Sequence, residues 1–351
     1  MTALLTVLLA CYLLGGLLPL CTTRPNLQNI FAHGCAAAAG VAGLVLGVAG
    51  LLSTAPLTLS LASNIPQLTF ALRLDPLAAF FVLTISLVGL AASVYAYGYV
   101  EEFSGRVSVG LLGSLLNGFL LSMTLVVLAD NGFFFLILWE VMSLLSYVLV
   151  VTEHEKPGVR EAGLFYLIMT HVGTAFIILT FLIFFQETGS FSFEAFRHPD
   201  QQLPEGLRSV AFFTALIGFG AKAGIVPLHV WLPYAHPAAP SHISALMSGV
   251  MIKTAIYGLI RVYFDFMGGV FPWWWGFTLL VLGTVSALLG VMYALMEHDL
   301  KSLLAFHSVE NIGIILLGIG AGMIFHTYGL HELAALGLLA GLYHTINHAA
   351  F

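Results

Sequence analysis

The chain has 351 residues, of which 60% are apolar and only 8% charged, with a formal net charge of −6 and a mean hydropathy of +1.00. A soluble surface needs roughly 25–35% charged residues, so this composition excludes an ordinary soluble protein and describes an integral membrane protein. The acidic excess is spread over loops without a long run of like charge, which argues against nucleic acid as a ligand.

A hydrocarbon core of about 30 Å is spanned by about 20 apolar residues in a helix. The N-terminal stretch MTALLTVLLACYLLGGLLPLC has no Lys or Arg ahead of its apolar core and no small-x-small cleavage site near Cys21. It reads as a retained first transmembrane helix over 3–21, not as a removed signal peptide. Apolar runs between polar breaks place further helices near 31–53, 77–99, 109–129, 131–152, 162–186, 209–232, 241–266, 274–296 and 302–324, and another starts near 333. Residues 56–75, with Pro56, Pro66 and Asp75-Pro76, read as a loop able to carry short strands. The longest polar insert, 187–208, holds Phe191, Phe193 and Phe196 and is expected at the membrane interface. Loop cations Arg24, Arg106, Lys156, Arg160 and Lys301 fall on one side, and Arg73, Arg197, Arg208 and Arg261 on the other. This small excess puts the N-terminus outside. The last residues, LLAGLYHTINHAAF, run on in an apolar helical pattern without a cap or basic flank, as a piece of a longer polypeptide would.

Ionisable residues inside apolar runs carry the candidate chemistry. Lys222 lies in IGFGAKAGIVPLHVWLP, Lys253 in ISALMSGVMIKTAIYGLI and Glu140 in NGFFFLILWEVMSLLSYVLVV. A charge at the centre of a membrane helix costs roughly 2.5–3.5 kcal/mol on insertion scales, so such residues pair with one another or line a polar path. Pro227 has no N–H and clashes with the carbonyl one turn back, so the helix is expected to break beside Lys222, with Pro233, Pro237 and Pro240 beyond. Broken helices at membrane depth line watery cavities, and their freed carbonyls can hold water or ions. Lys253 lies too deep in its helix to reach an interface, and Glu140, with Ser143 and Leu144 on its face, is a candidate partner for either lysine.

Histidines extend the possible path, because histidine titrates nearest physiological pH. His229 neighbours the break, His307 lies near Glu310, and His344 and His348 are spaced i, i+4. HTINH lacks the glutamate of HExxH, so no metal is expected there. His171 is mid-helix, with core hydrogen bonding and relay both open. His33, His154, His198, His326 and His331 read as loop or interface residues, and Asp130, Glu153, Glu155 and Glu161 as residues of helix ends. Cys11, Cys21 and Cys35 are too few and wrongly spaced for a disulfide framework, a CxxC zinc site or an iron–sulfur cluster, so no cofactor or redox centre is expected. A faint internal echo, YLIMTH at 166–171 and YHTINH at 343–348, fits the repeats common in transporters. A fixed ion-pair lock between helices remains the alternative use of all these charges.

The stretch GFGAKAGIVPLHVWLPYAHPAAPSHISALMSGVMIKTAIYG (218–258) and the glutamate helix FLILWEVMSLLSY (135–147) resemble the antiporter-like membrane subunits of respiratory complex I, cation/proton antiporters and membrane-bound hydrogenases. HPAAPSHISALMSGVMIK, LLGVMYALMEHDLKSLLAFHSVENIGIILLGIG and GLYHTINHAAF are most similar to the hydrogenase-4 component B and formate hydrogenlyase subunit 3 branch. The resemblance covers nearly all of the chain past residue 70. It implies an all-α, polytopic transmembrane helical bundle with a broken helix and inverted five-helix repeats. Helices 1–3 would occupy 1–108, a first repeat 109–270, and a second repeat, truncated, 271–351. On that pattern Glu140, Lys222 and Lys253 match the family's glutamate and lysines, and His344 and His348 its paired histidines. Asn311 stands, beside Glu310, where complex I relatives often carry histidine; the family lysine expected just after Phe351 and the later broken helix lie outside the chain.

The function implied is that of a non-redox, proton-translocating subunit of a hydrogenase or formate hydrogenlyase-type complex in the cell inner membrane. Partner subunits would hold the redox groups, and hydration of Lys222, retuned by Glu140 and passed to Lys253, would move the proton. Alternatives are a subunit of an NADH:quinone oxidoreductase-like complex, a component of a multisubunit sodium/proton antiporter, and a structural membrane anchor.

Overall fold

The computed structural model describes residues 1–103, 105–198 and 203–351. In chain order the helices are α1 (Thr2–Leu17), α2 (Pro25–Leu51), α3 (Pro76–Tyr99), α4 (Val109–Leu128), α5 (Gly132–Val150), α6 (Val159–Thr188), α7 (Phe193–Arg197) and α8 (Glu205–Ala223). They continue with α9 (Leu232–Ala238), α10 (Ser241–Leu246), α11 (Ile252–Ile260), α12 (Trp273–Met296), α13 (Leu300–Thr327) and α14 (His331–Ala350). A hairpin of β1 (Leu57–Ala62) and β2 (Thr69–Leu74) separates α2 from α3. The protein is a multi-pass helical membrane bundle: among the described residues, 10 helical segments are long and apolar enough to cross a bilayer.

The starts of the helices are written in local polar chemistry. Asp75 accepts from the Ala78 amide at 2.9 Å, with Pro76 at the first helical position, and Asn131 accepts from Phe134 at 2.9 Å. Ser108 caps α4 through Leu111 at 3.3 Å, and Asp299 caps α13 through Ser302 at 2.8 Å. Each side chain satisfies an amide that has no partner inside its own helix, at a point where water is about to become unavailable.

Contacts along the chain define two compact units, Met1–Leu164 with Ala238–Thr254, and Phe165–Pro237 with Ala255–Phe351. In the first unit α2 and α3 run antiparallel and close, with Gly40 against Leu90, Gly47 against Leu83 and Gly50 against Ala79. Small residues at helical spacing allow that approach, and dispersion between backbones replaces the hydrophobic drive that lipid does not provide. The hairpin pairs in register from Leu57 opposite Leu74 to Ala62 opposite Thr69, and the Asp130 amide donates to the Ala71 carbonyl at 2.9 Å, tying it to the α4–α5 turn. In the second unit α12 and α13 make the same kind of close contact through Gly276 and Gly320. The aromatic insert is partly ordered as α7; residues 199–202 of it lie outside the described residues.

Three expectations need correcting. Arg261, counted among the loop cations, lies buried at 5% exposure in a π-helical turn, Arg261–Phe266, that continues α11. His33 is neither in a loop nor at an interface: Pro25 starts α2 six residues earlier than the apolar run suggests, and His33 lies buried in the third turn at 2% exposure. The helix expected over 209–232 ends at Ala223, because Gly224 turns the chain before Pro227 is reached.

A Cβ at Gly276 would stand 2.7 Å from the Gly320 carbonyl oxygen and 3.0 Å from the Ile324 amide, both backbone atoms that cannot swing away. Gly276→Ala is therefore expected to destabilise the protein by about 1–3 kcal/mol, read as a lower melting temperature in detergent. Gly98→Ala, in open space, should leave the melting temperature unchanged.

Candidate functional site

In the second unit, α6 and α8 face each other through small and hydroxyl side chains. Thr180 donates to Thr214 at 2.8 Å, a Cβ at Gly173 would sit 2.9 Å from the Gly218 carbonyl, and Gly218 lies against Ile177. Tyr166, seven residues before Gly173 on the same face of α6, is carried by this contact to the end of α8. There the Lys222 ammonium donates to the Tyr166 hydroxyl at 2.7 Å, with Lys222 only 1% exposed and its nitrogen 4.9 Å from the ring centroid. A hydroxyl can accept from the ammonium and, once the amine is neutral, donate to it.

The chain breaks two residues later. Gly224 has φ 78°, a left-handed conformation open to glycine, and its amide and that of Ile225 both return to the Gly220 carbonyl at 2.9 and 3.0 Å. The chain then passes Pro227, makes a short 3₁₀ turn at Leu228–Trp231 and resumes as α9. Trp231 folds back, donating its indole N–H to the Ala221 carbonyl at 2.8 Å and packing its ring 4.8 Å from that of Tyr166. The Val226 amide donates to Ser286 Oγ on α12 at 3.1 Å. The carbonyls of Gly220 and Ala221 thus accept from protein donors at the break. His229 is half-buried in the 3₁₀ turn, beside exposed Pro227.

The first unit contains Glu140 and Lys253. Glu140 is half-buried on α5, above Ser143 and Ser146, whose hydroxyls donate to carbonyls of their own helix. Lys253, 1% exposed on α11, follows a π-helical turn over Met247–Met251 and donates to the Ser248 carbonyl within it. A widened turn misaligns the helical ladder and turns a carbonyl toward the ammonium. Thr254, the next residue, lies 3.7 Å from Met142 Sδ on α5, so the neighbours of Lys253 and Glu140 touch.

A second polar group joins α13 and α14. His307 Nδ1 is 2.6 Å from Glu310 Oε2, Asn311 Nδ2 donates to the His307 carbonyl at 2.7 Å, and Asn311 Oδ1 is 2.8 Å from His344 Nε2. The amide's orientation is set by its bond to a carbonyl, which can only accept, so His344 donates from Nε2. His348 is buried one turn on, at 5% exposure. The structure thus brings His307, Glu310 and His344 together through Asn311. By contrast His171 lies exposed with Nδ1 2.9 Å from the Leu167 carbonyl, which favours local bonding over a relay. Tyr166 and Trp231 are the members of the site that sequence reasoning missed; a hydroxyl-bearing ring inside an apolar helix, which needs a partner when buried, is the available signal.

Residues 129–349 match the model of the family described as NADH:quinone oxidoreductase/Mrp antiporter, TM. Hydrogenase-4 component B of Escherichia coli K12 is 44% identical over 89% of this chain and 47% of its own length. Formate hydrogenlyase subunit 3 of the same organism is 35% identical over 81% of this chain and 44% of its own. The chain spans about half the length of these relatives. The Mrp complex from Dietzia sp. DQ12-45-1b contains a chain of the same fold, with a TM-score of 0.82, 22% identity, and coverage of 99% of this chain and 36% of that one.

The break beside Lys222 depends on Gly224. Gly224→Ala would place a side chain in a left-handed turn, costing about 1–2 kcal/mol, and would press its Cβ into Leu232. The expected result is a lower melting temperature than that of Gly206→Ala, where a Cβ meets nothing within 4 Å.

Proposed function

The chain belongs to the NADH:quinone oxidoreductase/Mrp antiporter transmembrane family, and from that premise we propose that it carries protons as a non-redox membrane subunit of a hydrogenase or formate hydrogenlyase-type complex. The observation that carries this reading is Lys222: a fully buried ammonium, hydrogen-bonded to a tyrosine hydroxyl, two residues before its helix breaks. A proton carrier must hold its charge in apolar surroundings and release it without dismantling the fold. A lysine whose partner can both accept and donate meets that need. The likeness to hydrogenase-4 component B and formate hydrogenlyase subunit 3 supports the choice of complex.

On this reading the path comprises Glu140, Lys222, His229, Lys253, His307, Glu310, His344 and His348, with Pro227 in the break, arranged in repeats over 109–270 and 271–351. Redox chemistry would reside in partner subunits, anchored with this chain in the cell inner membrane. A second reading, cation/proton exchange, has support from a probable K⁺/H⁺ antiporter protein of Rhizobium meliloti, 30% identical over 81% of this chain. Potassium- or sodium-dependent proton movement in the absence of hydrogen or formate would favour it.

In membranes carrying the whole complex, Lys222→Ala should abolish proton uptake while assembly and dye-linked hydrogen or formate oxidation in the partner subunits persist. Glu140→Gln should act in the same direction by removing an acid from the path. Were these charges only a structural lock, removing one partner would strand the other at a cost of about 3–5 kcal/mol, and assembled complex would be lost instead. Normal uptake in an assembled Lys222→Ala complex would end the carrier reading.

A further inference from the structure

The segment beyond the break reaches back to the neighbourhood of Lys222 through one side chain. In an unbroken helix the Ile225 amide would bond the Ala221 carbonyl four residues back, but at the Gly224 turn it returns to Gly220 at 3.0 Å. The Ala221 carbonyl, next in sequence to Lys222, is taken instead by the indole N–H of the fully buried Trp231 at 2.8 Å. Trp231 closes the 3₁₀ turn Leu228–Trp231, and that turn is itself pinned to the break. The Leu228 amide donates to the Ile225 carbonyl at 2.6 Å, and the Leu232 side chain packs directly on Gly224.

The indole bond fixes where the Trp231 ring stands. Its centroid lies 4.8 Å from that of Tyr166, tilted by 47°, and 6.3 Å from that of His236 on α9, which stacks on it at 28°. Tyr166 therefore meets both sides of the break. From the last turn of α8 it receives the Lys222 ammonium on its hydroxyl at 2.7 Å, and from the 3₁₀ turn it receives the Trp231 ring. The backbones of α6 and α8 are locked at Gly173 and Gly218, so contact with the Tyr166 ring bears on where its hydroxyl lies relative to Lys222. The indole N–H is a donor only and does not titrate, so Trp231 can act on a proton only through the tyrosine.

We propose that Trp231 is the positioning residue of the Lys222–Tyr166 pair, a latch that ties the segment beyond the break to the ring whose hydroxyl accepts from the lysine. This rests on the proton-carrying reading of the chain. The hydrogen bond between ammonium and hydroxyl is lost over a displacement of about 1 Å. A shift of the 3₁₀ turn that moves the indole is thus felt at Lys222, and a turn held in place keeps the pair in register.

A double-mutant cycle in membranes carrying the whole complex separates positioning from packing, with proton uptake read per assembled complex. Tyr166→Phe keeps the ring and deletes the hydroxyl, and should slow uptake roughly tenfold, the loss of one hydrogen bond to a charged group. Trp231→Phe keeps a ring beside Tyr166 and deletes the indole N–H; uptake slower by roughly three- to tenfold, with a displaced pH profile, is expected. Added to Tyr166→Phe, the same Trp231→Phe change should cost less than about twofold, because the hydroxyl it positions is already gone. A merely structural indole would lower the amount of complex, leave the pH profile in place and act equally in both backgrounds. Trp231→Tyr, nearer in size, repeats the cycle where the Phe variant assembles poorly. Equal effects in the two backgrounds, wild-type uptake in Trp231→Phe, or loss of assembled complex in both Trp231 variants overturns the proposal. If Lys222→Ala abolishes uptake and the cycle is additive, this inference alone falls. Normal uptake in an assembled Lys222→Ala complex removes the reading beneath it as well.

Discussion

A cation buried among apolar helices must find oxygens, and a regular helix offers only the second lone pair of carbonyls already bonded in its ladder. The structure answers this in the same way three times. Lys222 lies at the end of α8, where Gly224 stops the helix and Tyr166 provides a hydroxyl. Lys253 follows a π turn and bonds a carbonyl inside it. Arg261 opens a second π turn, over Arg261–Phe266, whose Asp265 it engages. Each of these three departures from helical geometry sits at a buried cation, so the irregular backbone is where these side chains gain partners that the bilayer cannot supply.

The helical bundle was largely legible in the sequence because its physics is one-dimensional. An apolar run near the length of the bilayer core is a helix, and α3, α5 and α12 fall within a few residues of the runs that announce them. What could not be read depends on contacts between distant segments. Pro227 is the loud signal in 217–233, yet Gly224 makes the turn, and a glycine among many gives no sign of its φ. The π turns leave no residue signature at all. Tyr166 is one tyrosine in an apolar helix until α8 brings Lys222 to it. His33 was misplaced for a simpler reason: polar residues at 26–29 look like a loop, but Pro25 starts the helix ahead of them and Asn29 bonds the Tyr97 carbonyl at 2.7 Å.

Charge type separates the roles of the buried cations. An arginine stays protonated under all relevant conditions and binds through a rigid fork, which suits Arg261 and Arg197 to sharing a single carboxylate oxygen of Asp265 without change. A lysine is a point charge on a flexible stem and can lose its proton when buried. Lys222 bonds a hydroxyl that can reverse its hydrogen bond, the kind of partner such a change of state requires. The same run, 241–266, therefore holds two buried cations of different kind, the point charge of Lys253 and the rigid fork of Arg261.

The group on α13 and α14 follows a different logic. Asn311 links the His307–Glu310 pair to His344, but an amide does not titrate, so a proton cannot pass through it as it would through a histidine. What the amide does is fix His344 with its proton on Nε2, which leaves Nδ1 as the basic atom of the neutral ring. Any proton moving between the two histidines would have to travel by water past the amide. Asn311 thus acts as an orienting residue for His344 at a position where a titrating side chain would offer a shorter route.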